Sequence, residues 1–252
     1  MVGKVSLICP TVGEDGHDNE WFGALKENTD WALIEEIIVV WDEWLYIDGS
    51  FGFDIPEGIP IRYVLNGRTV GISRAFNMGS SIARGDYLCF LEDRIYVPKG
   101  WLTGLKKVLD AHPNYGWVAT YQVENPKATF TSMCSLMLRR TFESMGGFDE
   151  QFEVFDDADL LLRMNGRTFR LDCGNNTAWY EGYPPLDPHG VSDIKVSHPE
   201  ARTTTALLRG GRDSQQEHDH FTEMTKRFKA KWGMDDFDWN KVPSCKVKDV
   251  VE

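Results

Sequence analysis

The sequence predicts an α/β protein, in which a mostly parallel central sheet is flanked by helices and a smaller α+β part follows. Between residues 4 and 121, short apolar runs of strand length alternate with runs of helical periodicity. This alternation is typical of parallel βαβ units. After residue 129 the pattern changes to isolated short elements and a long polar segment. The 252 residues are enough for one large α/β domain or two small ones.

The first part contains five predicted strands and three predicted helices. The strands are short apolar or alternating runs bounded by turn residues. They cover 4–9, 34–40, 59–65, 86–91 and 117–121, and Pro10 is expected to stop the first of them. The helices show apolar residues at helical spacing and cover about 20–28, 71–83 and 100–112.

The second part is predicted from weaker signals. A strand at 129–138 is followed by a helical turn at 142–145, which Gly146 and Gly147 close. Residues 156–164 have helical periodicity with acidic residues in the first turn, which suits the helix dipole. Segment 172–199 is rich in Gly, Pro, Asn and Asp, as functional loops often are. An amphipathic helix is predicted at 215–232, and the tail beyond 235 is expected to be weakly ordered.

Composition excludes several classes of protein. The chain has 27 basic and 39 acidic residues, and its net charge of −12 argues against binding of nucleic acid or anionic membranes. The five cysteines form no CxxC pair, so neither a zinc cluster nor a disulfide framework is indicated. No run of about 18 apolar residues exists, so no membrane span is predicted and a cytoplasmic location is expected.

Two adjacent carboxylates, Glu92 and Asp93, follow the predicted buried strand at 86–91. In open α/β sheets, ligands bind outside the carboxyl ends of the strands. Neighbouring carboxylates at such a point are costly unless a positive charge lies beside them. A divalent metal is a natural candidate, and a metal suggests a substrate that carries phosphate. The alternative is a surface turn in which the acids pair with Arg94.

Six motifs, taken in order, resemble those of the family 2 glycosyltransferases, which have the GT-A fold. The resemblance covers about residues 4–232. The motifs are the opening strand at 5–11, the second strand and its acid at 36–42, the Gly/Ala/Asn pattern of 71–85, Glu92-Asp93 with Pro98 in the DxD region, the GGFDE stretch at 146–150, and the acidic helix start at 156–160.

The resemblance implies transfer of a sugar from a nucleotide-sugar donor to the hydroxyl of a carbohydrate or another acceptor. The donor would be a UDP-, GDP- or dTDP-sugar, Mn²⁺ or Mg²⁺ would assist, and a single displacement would invert the anomeric carbon. It also implies that 1–125 form the nucleotide-sugar-binding half, 126–200 the acceptor and catalytic half of the same domain, and 201–252 a C-terminal helix and tail.

The acidic residues receive roles from the resemblance. Asp157 is expected to be the catalytic base, with Asp156 the next candidate, and two close carboxylates raise one pKa toward neutrality. Their alternative role is to cap the helix and complement its dipole. Asp93 is the expected metal ligand, and Glu92 is either a second ligand or a contact to a ribose hydroxyl.

Further donor contacts are expected around these acids. Asp42 is the candidate for the nucleotide base or ribose, with a turn-capping role as the alternative. Arg68 and Arg94 can reach phosphate oxygens, although Arg68 also fits a solvated loop charge. In the long loop, the resemblance makes His189 the candidate for a metal ligand or a diphosphate contact, and His198 competes for that role, with an incidental loop position as the alternative for each. Aromatic residues of the same loop can stack on a sugar ring, namely Trp179, Tyr180 and Tyr183.

Three departures from the family pattern keep another function open. Phe76 stands where Arg is usual, Leu91 where the first Asp of DxD is expected, and Trp41 where Asp is usual. These departures also fit a catalytically degenerate module that only binds nucleotide sugars. A nucleotidyltransferase is disfavoured because the loop at 11–16 is acidic rather than Gly-rich and basic, and a Rossmann dehydrogenase because GxGxxG is absent there.

Overall fold

The computed structural model of the protein describes residues 3–11, 18–42, 55–93, 95–111, 116–122, 133–164, 168–170, 195–196 and 214–234. The strands are β1 (Val5–Thr11), β2 (Ile34–Trp41), β3 (Ile61–Leu65), β4 (Tyr87–Leu91), β5 (Trp117–Ala119), β6 (Tyr121–Gln122), β7 (Cys134–Leu138), β8 (Thr168–Arg170) and β9 (Lys195–Val196). The helices are α1 (Asp18–Asn28), α2 (Ile72–Ile82), α3 (Trp101–Ala111), α4 (Arg139–Met145), α5 (Asp156–Met164) and α6 (Ser214–Trp232). Within these ranges, no helix is long and apolar enough to span a membrane.

The main sheet has seven strands in the order β3-β2-β1-β4-β7-β5-β8. Its pairs are parallel except those of β7, which runs antiparallel to both β4 and β5. A second sheet pairs β6 with β9. The predicted α/β class with a mostly parallel sheet is therefore confirmed. The proposed boundaries at 125 and 200 stay predictions, although β7 shows that sequence from both sides of 125 contributes to one sheet.

Pro10 does not stop the first strand, and that prediction is wrong. It continues the parallel ladder as the partner of Val40, and β1 ends only at Thr11. The pairing of β1 with β4 ends earlier, at Ile8 opposite Phe90. Pro10 therefore lies where β1 has a neighbour on one side, which is the position in which a sheet tolerates a residue without an N–H donor.

Both faces of the central strands β1, β2 and β4 are buried, because helices cover each of them. Along β4, Cys89 and Leu91 point into the cluster that contains α3, whereas Leu88 and Phe90 point into the cluster that contains α2 and α5. This explains why the predicted strand is a continuous apolar run, since a strand covered on both faces has no polar side. The acids follow at the carboxyl end of β4.

Helix α2 lies close against the sheet because residue 79 is glycine. A Cβ atom at Gly79 would be 2.4 Å from Ile8 Cγ2, well inside van der Waals contact. Alanine at this position would therefore push the helix away from β1. The close approach brings the polar residues of α2 within reach of the loop that follows α4.

Asn77 of α2 joins the two parts of the predicted domain. Its Nδ2 donates to the carbonyl oxygen of Phe148 at 2.9 Å, and the Phe148 N–H donates to its Oδ1 at the same distance. Gly147, with φ of 76°, passes so close that a Cβ there would be 2.5 Å from Asn77 Oδ1. The Gly-Gly-Phe-Asp-Glu stretch is thus fixed by α2, and it carries the chain toward α5.

The opposite end of the sheet contains a buried ion pair. Glu36 accepts hydrogen bonds from Ser6 Oγ at 2.8 Å, the Arg84 N–H at 2.7 Å and Arg62 Nη1 at 2.9 Å. Burial alone would raise the pKa of Glu36, but these donors and the charge of Arg62 together lower that pKa below its usual value. Glu36 therefore stays ionised and ties β1, β2, β3 and the turn after α2 together.

Candidate active site

Three parallel strands end at the same edge of the sheet, and polar residues follow each of them. Thr11 ends β1, Asp42 follows β2, and Asp93 lies two residues after β4. The Thr11 hydroxyl donates to Asp93 Oδ2 at 3.0 Å, and the Asp42 N–H donates to the Thr11 carbonyl at 3.0 Å. This edge is where open α/β sheets bind ligands.

Four carboxylates gather beside this edge, and we call Glu92, Asp93, Asp156 and Asp157 the carboxylate cluster. Burial raises the pKa of Glu92 to about 8, with further contributions from the charges of Asp156, Asp93 and Asp157. Burial also raises the pKa of Asp157 well above its ordinary value, and the charge of Asp156 adds to that effect. The acids at the start of α5 therefore raise the pKa of Glu92, which lies more than 60 residues earlier in the sequence.

The first turn of α5 supplies two members of the carboxylate cluster. Asp156 is buried and Asp157 is half-buried. Asp157 Oδ1 accepts the N–H of Ala158 at 2.7 Å, which partly offsets the rise in its pKa. The role predicted as the alternative, interaction with the helix start, is therefore present at Asp157. The Ala158 N–H occupies Oδ1 of this carboxylate.

The donor set of the carboxylate cluster fits Mg²⁺ or Mn²⁺, because carboxylate oxygens are the ligands these hard cations prefer. The mutual repulsion that raises the pKa of Glu92 would fall on binding a cation. In the part of the chain that the structure describes, no group of three or more His, Cys, Asp or Glu residues is arranged to hold a metal. One or two carboxylates completed by substrate phosphates and water form an ordinary Mg²⁺ site, so the residues present fit such a metal.

Asp42 fixes the loop after β3. Its Oδ1 accepts from Asn66 Nδ2 at 2.8 Å, and its Oδ2 accepts from the Val70 N–H at 3.0 Å. The predicted alternative, a turn-capping acid, therefore has direct support, and a nucleotide contact for Asp42 stays a prediction. Arg68 lies on the loop that Asp42 holds and its side chain is exposed. The loop brings this cation to the same end of the sheet as the carboxylate cluster.

The three residues that depart from the family pattern are all core residues. Leu91 and Phe76 have no exposed surface, and Trp41 has 2%. The Phe76 ring packs against Phe90 with ring centroids 4.9 Å apart and against Phe148 at 5.6 Å. Burial of these side chains explains why apolar residues are stable at the three positions, and with Leu91 in the core the DxD-like region offers the carboxylates of Glu92 and Asp93.

Two predicted site residues, Arg94 and His189, lie outside the described residues. The same holds for His198 and for the aromatic residues of the long loop that were expected to stack on a sugar, Trp179, Tyr180 and Tyr183. Their roles stay predictions. The structure brings together the acids after β4 and at the start of α5, and it brings Asp42 and Arg68 to the same edge.

Asp159 has a role that the sequence did not reveal. It is fully buried, and it accepts hydrogen bonds from Arg163 Nε at 2.8 Å and Trp232 Nε1 at 3.0 Å. Lys231 Nζ pairs with the same carboxylate. The spacing of Asp159 and Arg163, four residues apart on one helix, was the available signal. The contacts with α6 cross 73 residues of sequence, and no local pattern indicates them.

Comparison with known proteins agrees with this geometry. Residues 52–164 match the family model for Glycosyl transferase family 2. A stretch of 48 residues is 46% identical to the O-antigen biosynthesis protein RfbC of Myxococcus xanthus, and it covers 19% of this chain and 4% of that protein.

Several solved structures share the fold at low sequence identity. Mannosyltransferase PcManGT from Pyrobaculum calidifontis, in complex with GDP-Man and Mn²⁺, has a TM-score of 0.59 and 16% identity over 90% of this chain and 64% of that one. GalNAc-T7 with UDP, GalNAc and Mn²⁺ has a TM-score of 0.57 and 12% identity over 78% of this chain and 43% of that one. S. aureus TarS has a TM-score of 0.55 and 12% identity over 90% and 44%. The chain thus spans between 43% and 64% of the length of these proteins, and the predicted GT-A fold is confirmed.

Proposed function

We propose that this chain, whose residues 52–164 match the family model for Glycosyl transferase family 2, moves a sugar from a nucleotide-sugar donor to a hydroxyl acceptor, by a single displacement with inversion and with help from a divalent metal. The observation that supports this most is the carboxylate cluster at the carboxyl edge of the sheet. A cluster of this kind can both bind a metal–diphosphate and remove a proton.

In this proposal, Asp93 is the metal ligand after β4 and Glu92 is either a second ligand or a contact to a ribose hydroxyl. A bound Mn²⁺ or Mg²⁺ would neutralise the charge that develops on the diphosphate leaving group. The Thr11 hydroxyl orients the Asp93 carboxylate through its hydrogen bond of 3.0 Å. A protonated Glu92, which its raised pKa favours near neutrality, can donate a hydrogen bond to a substrate oxygen.

Asp157 is the proposed base. The acceptor oxygen attacks the anomeric carbon, and the bond between the anomeric carbon and the diphosphate oxygen breaks. The proton of the acceptor hydroxyl moves to the Asp157 carboxylate. A base works best when its pKa lies near the working pH, and burial and Asp156 both raise the pKa of Asp157 in that direction. Asp156 is the second candidate for this role. Asp159 is not proposed, because its carboxylate is buried and holds Arg163 and Trp232.

The nucleotide part of the donor would bind at the same edge of the sheet, beside the ends of β2 and β3. Asp42 would contact the base or ribose while it holds the 66–70 loop, and Arg68 on that loop would contact phosphate. Arg94 and His189 complete the proposed set, as a phosphate contact and a metal ligand. The PcManGT structure with GDP-Man and Mn²⁺ and the GalNAc-T7 structure with UDP and Mn²⁺ support a donor of this class.

The second candidate function is a module that binds nucleotide sugars without turning them over. It is favoured by the burial of Leu91, Phe76 and Trp41, because three positions that are polar in the family pattern offer no group to a ligand here. The two functions differ in one respect only, which is whether bound donor is consumed.

The experiment combines binding and turnover. Thermal unfolding of the protein is measured with UDP-, GDP- and dTDP-sugars, with and without Mn²⁺, because a bound ligand raises the unfolding temperature. With the donor that binds, transfer and donor hydrolysis are measured for wild type and Asp157→Asn. We expect Asp157→Asn to bind nucleotide normally and to lose a factor of about 10²–10⁴ in transfer.

A matched control is Asp86→Asn, which makes the same change on an exposed residue before β4 and should leave transfer unchanged. Undiminished transfer by Asp157→Asn would remove this residue from the base role. Donor binding without transfer or hydrolysis by wild type would favour the binding module. Absence of binding by every nucleotide sugar tested would contradict both functions.

A further inference from the structure

The residue before the acidic pair has an unusual backbone conformation. Phe155 has φ of 71°, and among the described residues it is the only non-glycine residue with positive φ. Bulky side chains rarely adopt this left-handed conformation, because Cβ approaches the backbone. It persists only where the surrounding structure holds it in place. Since Asp156 and Asp157 follow directly, the backbone angle at Phe155 sets the direction in which both carboxylates leave the chain.

Helix α6 supplies the surroundings that hold Phe155. The Phe155 side chain is 4% exposed, and its ring centroid lies 5.3 Å from those of Phe221 and Phe228. Phe152 packs against the same Phe228 ring at 5.7 Å, and Met224 completes the cluster. Rotation of Phe155 to a negative φ would pull its ring out of this aromatic contact.

The same helix also fixes the far side of the acidic pair. Trp232 Nε1 and Lys231 Nζ bind the Asp159 carboxylate, and the Asp159 N–H donates to the Phe155 carbonyl at 2.8 Å. His220 on α6 contacts Glu153, with 3.1 Å between Nε2 and Oε2. Residues 153–159 are therefore held by α6 on both sides of Asp156 and Asp157.

We propose that α6 is a positioning element of the active site, in which Phe228 and its neighbours keep Phe155 in the left-handed conformation that aims Asp156 and Asp157 at the substrate. The inference rests on the proposed function, in which Asp157 is the base. Phe155 and Phe228 act through the aspartates and do not touch substrate, so both are positioning residues.

The first test compares Phe155→Gly with Phe155→Ala. Both variants lose the same ring, but glycine adopts positive φ freely whereas alanine does not. We expect kcat of Phe155→Gly to exceed that of Phe155→Ala by about tenfold, with donor KM equal within about twofold. If the ring matters only for packing, alanine should do as well as glycine or better, and that result would overturn the inference.

A second pair of variants tests α6 itself without relying on the alanine variant to fold. Phe228→Leu should lower kcat by about tenfold in the wild-type background and by less than about twofold when residue 155 is glycine, because glycine needs no support for its φ. Equal loss in both backgrounds would assign Phe228 a structural role only. The exposed Lys226 on the same helix gives the control Lys226→Ala, which should leave kcat unchanged.

The outcomes also separate this inference from the proposed function. If wild type transfers sugar but Phe228→Leu lowers kcat equally with phenylalanine and with glycine at residue 155, the positioning role fails and the proposed function stands. If wild type neither transfers nor hydrolyses any donor, the function fails and the positioning role falls with it. In every case denaturant unfolding of each variant confirms that the protein compared is folded.

Discussion

Replacing Glu92 by Gln should make the metal-free protein more stable at neutral pH. The pKa of Glu92 rises from 4.5 to about 8, because the side chain lies in a poorly solvated place among three other carboxylates. Each pKa unit corresponds to about 1.4 kcal/mol, so ionisation in the folded state costs at most about 5 kcal/mol. The side chain is only half-buried, and solvent screening reduces the expected gain at pH 7 to about 1–2 kcal/mol.

The raised pKa of Glu92 determines how the stability difference between Glu92→Gln and wild type should change with pH. Because the pKa of Glu92 is raised on folding, the folded state holds a proton that the unfolded state has lost, and stability falls as pH rises from about 4.5 to about 8. Because Gln cannot ionise, the unfolding free energy of the variant does not fall with pH through this group. The difference in unfolding free energy between Glu92→Gln and wild type should be near zero at pH 4.5, should grow through neutrality and should level off above pH 8.

Urea unfolding in the presence of EDTA at pH 4.5, 6, 7 and 8.5 measures the difference directly. Glu35→Gln, at an exposed position on β2, makes the same chemical change outside the cluster and should show no such growth. Mn²⁺ together with a nucleotide sugar should stabilise wild type more than Glu92→Gln, because the cation offsets the repulsion that the variant has already removed. A difference in unfolding free energy that stays constant or shrinks as pH rises would refute the reasoning.

Two further predictions concern opposite ends of the sheet. Asp93→Ala should abolish the Mn²⁺-dependent part of donor binding in a thermal-shift titration, and donor binding like that of wild type would mean that Asp93 holds no metal. Glu36→Ala should lower the unfolding free energy by about 3–5 kcal/mol at pH 7, because the Arg62 charge and the donors of Ser6 and Arg84 lose their acceptor. Urea unfolding measures this loss. Because the pKa of Glu36 is lowered on folding, the loss should shrink when the pH falls below the folded-state pKa. Equal unfolding free energies of Glu36→Ala and wild type at pH 7 would contradict the prediction.

The parts of the fold with strong local signals could be predicted from the sequence. The helix predicted at 156–164 begins and ends at the same residues in the structure, because acidic residues mark its start and apolar residues recur at helical spacing. Strand β4 is correct to within one residue, since a strand covered on both faces is a simple apolar run. The expectation that the acids after β4 and at the start of α5 belong to one site is supported by the effect of Asp156 and Asp157 on the pKa of Glu92.

The remaining features depend on contacts between distant residues. Pro10 continues a strand because β4 ends its pairing at Ile8, and this depends on the neighbour rather than on proline. Both carboxylate oxygens of Asp42 accept hydrogen bonds from a loop more than 20 residues later in the chain. The position of Asp42 in the motif alone therefore does not show whether it contacts a nucleotide or caps a turn. Phe155, which has a positive φ, packs its ring against α6, which lies some 60 residues later in the chain.

The antiparallel strand β7 has a consequence for how the chain folds during synthesis. It lies between β4 and β5, so β4 has an unpaired edge until residues 134–138 have left the ribosome. Until then the nascent chain exposes an apolar strand edge of the kind that pairs with other chains. The helix contact through Asn77 forms later still, when residue 148 emerges. The sequence on both sides of residue 125 therefore contributes to one sheet, and we expect the two parts to fold as one cooperative unit and not to be exchanged separately between relatives.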